Sequence, residues 1–298
     1  MPVSRRGLFL FLALGFVWGL PYLLIKIAVE DLSVPMVVFG RLFFAAIVLM
    51  PIVLARRQLG ALRGHMRWVL AFAFVEMTIT WWCLTYAETH LTSSLTGLLI
   101  ATVPLVAAVM AKIAGLDDRL TGRRLLGLGI GFAGVIAIVG LDISGAQWLA
   151  VLALAITAFG YALGPILVDL KLSGVPSLPV IAVAITANAV IYAPFAWLQR
   201  PTAPVPASTW LAVLALGLVC TALAFILFFA LIAEVGPART TLITYINPAV
   251  AVVLGTIVLA EPLTWGLVIG FPLVLIGSWL ATRRAPERAL IVESEPHA

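Results

Sequence analysis

Charged side chains are scarce in this chain. Asp, Glu, Lys and Arg make up 10% of its 298 residues, whereas soluble domains carry about a quarter. Hydrophobic residues reach 63% and the mean hydropathy is +1.17, so the composition excludes an ordinary soluble domain. The two cysteines, Cys83 and Cys220, both fall in apolar stretches. This placement argues against a disulfide framework and against a cysteine metal site.

The sequence motifs of common enzymes are also missing. The chain has no G-x4-G-K-[ST] phosphate loop, no H-E-x-x-H and no G-x-S-x-G. Its three histidines, His65, His90 and His297, have no metal-ligating company in the sequence. We therefore predict that the protein is not an enzyme and that it needs no cofactor and no metal.

Long apolar stretches occupy most of the chain. Most of them reach the roughly 20 residues that an α-helix needs to cross a bilayer, and the short alternation typical of a membrane β-barrel is absent. The sequence therefore predicts an all-α membrane protein with ten transmembrane helices. The ten stretches are Leu8–Val29, Val34–Ala55, Trp68–Ala87, Thr92–Ile113, Leu125–Leu141 (extended back to Gly122), Ala146–Val168, Leu178–Leu198, Leu211–Ala233, Thr240–Ala260 and Thr264–Ala281.

The basic residues are distributed unevenly over the predicted loops. If the amino terminus is cytoplasmic and the loops alternate, 14 of the 18 basic residues fall on the inner side. The outer side then holds only Arg200, and Lys26, Arg41 and Lys112 lie within spans. This asymmetry follows the positive-inside rule, so we predict a multi-pass protein of the cytoplasmic (plasma or inner) membrane with both termini cytoplasmic. The net charge of +5 is thus a topology signal and does not indicate nucleic acid.

The second half of the chain repeats the first. Pro104 in "PLVAAVM" matches Pro248 in "PAVAVVL", 144 residues later, and Asp118-Arg-Leu-Thr matches Glu261-Pro-Leu-Thr. Five spans per copy is an odd number, so the second copy enters the membrane from the opposite side. Inverted repeats typically form a transporter with its substrate site between the halves. We expect repeats at 1–143 and 144–284, followed by a polar cytoplasmic tail at 285–298.

These residues carry a family resemblance. The chain resembles a ten-helix member of the drug/metabolite transporter superfamily with two EamA-type repeats, through "FVWGLPYLLIK", "FGRLFFAAIVL", Pro104 with "DRLTGRRLLGLGIGFAGV", and Pro248 with "AEPLTWGLVIGFPLVLIGSWL". The resemblance extends from about residue 7 to residue 282 and implies export of amino acids, other metabolites or toxic cations. It does not indicate which of these is the substrate.

Two charged residues are predicted near the middle of the bilayer. Helical rise places Glu76 ~12 Å deep in the third span, with Thr80 one turn further on the same face. Arg41, ~10 Å deep in the second span, is its natural counter-charge. Together they suit the ammonium and carboxylate of a zwitterion, although a purely structural ion pair accounts for them equally well.

Further candidates line the same predicted site. Trp18 and Tyr22 lie on one stripe of the first span, with Lys26 read as a snorkelling anchor at its outer end. Pro104 and Pro248 break helical hydrogen bonding, which within a membrane leaves carbonyls for a cavity or for a neighbouring helix. The remaining polar candidates are Tyr161, Thr244, Tyr245 and Asn247, with Asn188 a weaker one.

Glycines recur at equivalent places in the fifth and tenth spans. Gly127-x3-Gly131 and Gly266-x3-Gly270 fit the small-x3-small pattern of close helix packing. We expect the two spans to pack against each other, either within one chain or across a homodimer.

The sequence as a whole predicts a secondary transporter that exports a small organic solute, first of all an amino acid or related metabolite. Proton coupling is a hypothesis that rests on Glu76 alone. The alternatives are an exporter of drugs or cationic compounds and a membrane scaffold without transport activity. The expected partners are the small-molecule substrate, the lipid bilayer and protons.

Overall fold

The structure, a computed structural model, describes residues 4–113, 115, 122–143 and 145–282. Within these ranges the chain is helical and contains no strand. The predicted tail at 285–298 and the Asp118 motif lie outside the described residues. The helices, numbered along the chain, are α1 Arg5–Ala28, α2 Val34–Ala55, α3 Met66–Glu88, α4 Ser93–Ile113, α5 Gly122–Asp142, α6 Trp148–Lys171, α7 Ser177–Leu198, α8 Ala207–Val235, α9 Ile246–Val258 and α10 Trp265–Thr282.

Eight of these helices, α1 to α8, are long and apolar enough to cross a membrane. The last two are shorter: the apolar helical stretches there are Leu242–Val258 and Trp265–Ala281. The structure therefore supports a helical membrane protein, while the crossing of all ten helices stays a prediction. Large apolar side chains on the outside, such as Phe9 (69% exposed) and Ile257 (76% exposed), suit an acyl-chain environment.

Local sequence signals set the ends of several helices. The Ser4 hydroxyl accepts a hydrogen bond from the Gly7 amide at 2.9 Å and caps α1, and Thr92 caps α4 through the Leu95 amide at 3.2 Å. α8 ends at Val235 and is followed by Gly236, whose φ of 81° is readily adopted only without a Cβ.

Three of the long helices are irregular inside the span. α3 and α8 each contain one wide π-helical turn, at Phe74–Ile79 and Leu218–Leu223. These two turns lie 144 residues apart, the same separation as Pro104 and Pro248. α4 is interrupted after Ile100 and resumes at Val103.

α5 and α10 pack closely along most of their length, as the glycine pattern predicted, and they do so within one chain. A methyl group at Gly127 would lie 2.6 Å from the Ala281 nitrogen and 2.8 Å from the Gly277 carbonyl oxygen. The two backbones therefore touch directly, which only glycine allows.

The other helices form a mixed bundle in which each half of the chain packs on the other. α1 contacts α8 and α9, α2 contacts α7 and α8, and α6 contacts α3 and α4. The first segment of α4 packs against α9. The buried core runs through these contacts, around side chains such as Leu42, Leu98, Ile185 and Leu216.

Candidate functional site

Glu76 lies in the wide turn of α3. In this turn the hydroxyls of Thr78 and Thr80 donate to carbonyls five residues back, those of Ala73 at 3.3 Å and Val75 at 2.6 Å. A single π-helical turn within an α-helix often marks a functional site. The threonines satisfy backbone groups that the irregular turn would otherwise leave unpaired inside the membrane.

The Glu76 carboxylate packs against α6. A Cβ atom at Gly164 would lie 2.8 Å from the carboxylate carbon of Glu76, and Gly160 similarly makes room for Thr80 and the Val75 carbonyl. The Oε2 atom of Glu76 is buried and has no hydrogen-bond partner among the described residues. A buried acceptor without a donor is costly, so this oxygen is available to a ligand or a proton.

Arg41 is held by aromatic and hydroxyl groups. Its side chain is 8% exposed, its Nε donates to Thr221 Oγ1 at 2.9 Å, and its guanidinium carbon lies 3.7 Å from the centroid of the Trp81 ring. Thr221 belongs to the wide turn of α8 and itself donates to the Leu216 carbonyl at 2.8 Å. The guanidinium is thus fixed by a cation–π contact and one hydrogen bond.

Arg41 and Glu76 do not form the contact considered from sequence. Among the described residues, no hydrogen bond or ion pair joins their side chains. Tyr161 on α6 interacts electrostatically with both of them and lies near Trp81. The two charges therefore lie near one aromatic side chain without neutralising each other.

Tyr22 and Trp18 have different surroundings, although they share a stripe of α1. Tyr22 is 6% exposed, packs against Gly97, and interacts electrostatically with Tyr161 and Arg41. Trp18 packs on α8, its ring centroid 5.0 Å from that of Phe228. Tyr22 therefore belongs to a central cluster, which consists of Tyr22, Arg41, Glu76, Trp81, Tyr161 and Thr221.

The polar residues before α9 lie in a narrow 3-10 segment, Thr241–Tyr245. Thr244 and Tyr245 are half-buried there. In the amide orientation that suits its neighbours, Asn247 donates to the carbonyls of Ile243 and Gly15, both at 3.0 Å. Asn247 thus ties α9 to α1.

The two prolines lie just after the irregular segments. Pro104 is in the first turn of Val103–Ile113 and Pro248 in the first turn of α9, positions where the missing N–H of proline costs little. In α4 the Thr102 hydroxyl donates to the Leu99 carbonyl at 2.6 Å, and Ser278 of α10 donates to the Ala101 carbonyl at 3.1 Å. These groups satisfy part of the backbone at the interruption.

A second polar cluster was not singled out as a site from the sequence. Lys26 Nζ donates to the backbone carbonyls of Glu88 at 2.8 Å and Leu91 at 2.7 Å. Glu261 accepts hydrogen bonds from Ser93 and Ser94 at the start of α4. The available signals were Glu261 in the repeat motif and the Thr-Ser-Ser run at a helix start. The sequence gave no such signal for Glu88, because a charged residue at the end of a span is ordinarily interpreted as an interfacial group.

The described residues contain no group of three or more His, Cys, Asp or Glu side chains placed to hold a metal ion. The aromatic, cationic and acidic groups of the central cluster instead suit the binding of an organic solute. A model of the EamA-like transporter family matches the chain twice, at residues 5–140 and 148–283. The chain belongs to the EamA-like transporter family.

Similar proteins agree with this membership and confirm the resemblance to the drug/metabolite transporter superfamily. The chain is 29% identical over 248 residues to the uncharacterized inner membrane transporter YedA of Escherichia coli K12, covering 82% of this chain and 80% of YedA. It is 21% identical over 281 residues to the uncharacterized transporter YoaV of Bacillus subtilis strain 168, covering 91% and 94% of the two chains.

A solved crystal structure of another protein has the same fold. It superposes with a TM-score of 0.68 at 21% sequence identity, covering 95% of this chain and 100% of the other. The arrangement of helices in this EamA-like chain is therefore shared with a solved structure.

Proposed function

We propose that this protein is a secondary transporter that exports amino acids or related zwitterionic metabolites across the inner membrane by alternating access. Membership in a transporter family and a relative named as an inner membrane transporter support the general class. The substrate class rests on the central cluster.

The observation that carries the proposal is the state of Arg41. Its Nε is the one guanidinium nitrogen with a hydrogen bond to a described residue, so the terminal nitrogens keep donors for a carboxylate. Arginine binds carboxylates through paired, parallel hydrogen bonds. Glu76 Oε2, without a partner, supplies an acceptor for an ammonium group. Trp81, Tyr22 and Tyr161 provide apolar surface for the rest of the solute.

The proposed mechanism needs two inverted halves, at 1–143 and 144–284, with ten spans. The family model matches once in each half. If the two halves are exchanged, α1 corresponds to α6, α8 to α3 and α9 to α4. The contacts of α1 with α8 and α9 then correspond to those of α6 with α3 and α4, and all of these contacts are present. The last two apolar helical stretches, Leu242–Val258, which includes α9, and Trp265–Ala281 in α10, are short. A helix of about 17 residues nevertheless reaches ~25 Å, at the lower limit for a span.

The irregular turns also support the two-fold relation. Arg41 on α2 bonds Thr221 in the wide turn of α8. Correspondingly, Asn188 on α7 bonds Thr78 in the wide turn of α3 and donates to the Ala73 carbonyl at 3.1 Å. A polar residue of each half thus holds the irregular turn of the other, which suits two halves that rock about the site between them.

The orientation in the membrane follows from charge. The proposed orientation has both termini in the cytoplasm, because most of the basic residues then fall in cytoplasmic loops, as the positive-inside rule predicts. The α3–α4 and α9–α10 turns then lie at the outer end, and the α2–α3 and α6–α7 turns at the inner end. Export is the proposed direction, and proton antiport through Glu76 is the proposed coupling.

A second candidate function is export of organic cations. It is favoured by Glu76, whose free carboxylate oxygen lies in a membrane span together with several aromatic residues, a combination that attracts a delocalised cation. Arg41 disfavours it, because a buried positive charge repels such a solute.

Counterflow in proteoliposomes tests the proposal, with a panel of radiolabelled amino acids and with tetraphenylphosphonium as the cationic probe. We expect amino-acid counterflow, and Arg41→Gln to raise the half-saturation concentration roughly tenfold or more, since a charge-assisted hydrogen bond contributes about 1.5–3 kcal/mol. The matched control is Arg200→Gln in an exposed loop, which should leave transport unchanged.

Counterflow of tetraphenylphosphonium without that of any amino acid would favour the cation exporter. A folded protein that moves neither probe would contradict transport of both kinds and favour a scaffold.

A further inference from the structure

Glu88, the last residue of α3, is fully buried (0% exposed). Neither of its carboxylate oxygens has a hydrogen-bond partner among the described residues. An ionised carboxylate without donors is very unfavourable in such a place, and a protonated carboxyl is much less so. Glu88 is not part of the central cluster, although Tyr22 of that cluster interacts with it electrostatically.

The nearby positive charge, the ammonium group of Lys26, is hydrogen-bonded to backbone groups and not to the Glu88 carboxyl group. The Lys26 ammonium donates to two backbone carbonyls, of Glu88 and Leu91, where it meets the negative end of the α3 dipole. Tyr22, Lys26 and Glu261 interact electrostatically with Glu88, and His90 lies in the following turn. The charged residues within the described parts of α2, α4 and α6 are Arg41 on α2, Lys112 at the far end of α4, and Asp169 and Lys171 at the far end of α6.

Next to Glu88, the α9–α10 turn is fastened onto the start of α4. Glu261 Oε1 accepts from the Ser93 amide at 2.7 Å, and Oε2 accepts from the Ser94 amide at 2.9 Å and the Ser94 hydroxyl at 2.5 Å. The Ser93 hydroxyl adds a bond at 3.2 Å. Gly255 of α9 leaves the space that these groups occupy. We call Glu261, Ser93 and Ser94 the outer latch.

Water has a place beside this cluster. A cavity of about 190 Å³ lies next to Lys26 and is lined also by Leu95, Gln147 and Leu267. That volume holds several water molecules. A proton leaving Glu88 therefore has an acceptor nearby once the helix end loosens.

We propose that Glu88 is a proton-binding site that controls the opening of the outer latch. With the proton bound, the side chain is neutral and the closed arrangement is stable. When the carboxyl gives its proton to water, the resulting carboxylate draws in water or draws Lys26 away from the carbonyls of Glu88 and Leu91. Either change loosens the α3–α4 turn that the latch holds. The inference rests on the proposed alternating access, since it concerns the outer closure of the same pathway.

A cysteine beneath the latch can report its opening. Val252 lies three residues before Gly255, hence one turn deeper on the same face of α9, and is 9% exposed. The Val252→Cys variant is made in a background with Cys83→Ser and Cys220→Ala, and the purified protein is treated with a water-soluble methanethiosulfonate. The matched control carries Glu88→Gln in addition, so the reporter thiol and its own ionisation are the same in both proteins.

We expect the modification rate with Glu88 to rise roughly tenfold more than with Glu88→Gln between about pH 5.5 and about pH 8.5. An equal response in the two proteins would overturn the proposal. If the cysteine background does not fold, thermal unfolding of the natural sequence replaces it. The melting temperature should then fall with rising pH more steeply than that of Glu88→Gln alone, and parallel curves would overturn the proposal.

Neither the labelling rate nor the melting temperature requires a substrate. The role of Glu88 and the proposed transport function can therefore be refuted independently of each other. Amino-acid counterflow together with pH-independent labelling would refute the role of Glu88 and leave transport standing. Labelling that depends on pH through Glu88, in a protein without counterflow of any probe, would refute the proposed function and support the latch.

Discussion

Replacing Gly127 by alanine tests the direct backbone contact between α5 and α10. The new methyl group would lie 2.6 Å from the Ala281 nitrogen and 2.8 Å from the Gly277 carbonyl oxygen. Both are backbone atoms, which cannot rotate away as a side chain would. α5 and α10 must therefore move apart along part of their contact.

The matched control is Gly129→Ala, two residues further along the same helix. Gly129 is exposed, and a methyl group there would meet nothing within 4 Å. Both substitutions gain the same helix propensity, up to about 1 kcal/mol. Overpacking costs about 1–3 kcal/mol, so Gly127→Ala should be less stable than Gly129→Ala by that amount.

Thermal unfolding of the two purified variants in the same detergent measures this difference. One kcal/mol corresponds to roughly 2–4 °C in a chain of a few hundred residues, so the melting temperatures should differ by several degrees. Equal melting temperatures would refute the direct backbone contact between α5 and α10 and the inference that these glycines are required for packing.

Two further predictions concern the polar interior. Asn188→Leu removes the donor to the Ala73 carbonyl and the partner of Thr78, and should lower stability by about 1–2 kcal/mol in thermal unfolding; an unchanged melting temperature would contradict a stabilising role in the wide turn of α3. Glu76→Gln should retain counterflow of amino acids at equal pH on both sides, but at a higher half-saturation concentration, because a neutral amide oxygen replaces the carboxylate that accepts from the ammonium group. Flux driven by a pH gradient should be lost, because the amide cannot carry a proton; undiminished pH-driven flux would exclude Glu76 as the coupling group.

Some features follow from the sequence because they depend on residues close together in the chain. The positions of the apolar helices follow from continuous hydrophobic runs, since a span needs its own length of apolar side chains. The packing of α5 on α10 follows from glycines repeated at four-residue spacing. Family membership follows in the same way from the repeated Pro104 and Pro248 motifs.

The partners of the buried charges could not be read from the chain. Depth alone paired Arg41 with Glu76, but Arg41 stacks on Trp81 and bonds Thr221, 180 positions away. Depth along a helix fixes only one coordinate; the direction of each side chain depends on how the helices rotate and on which turns widen. The wide turn at Phe74–Ile79 changes the direction of the side chains that follow it, and no single residue type in the sequence indicates such a turn.

By itself the sequence determined a helical membrane protein of a transporter family, because hydrophobic length and motif spacing are local properties. Only the tertiary structure decided that Glu88 is enclosed and that Glu261 fastens the α9–α10 turn to α4. Both facts depend on segments about 170 positions apart meeting at one end of the bundle. Burial is a property of the packed helices, so a carboxylate that reads as an interfacial group in the chain becomes an unpartnered acid in the fold.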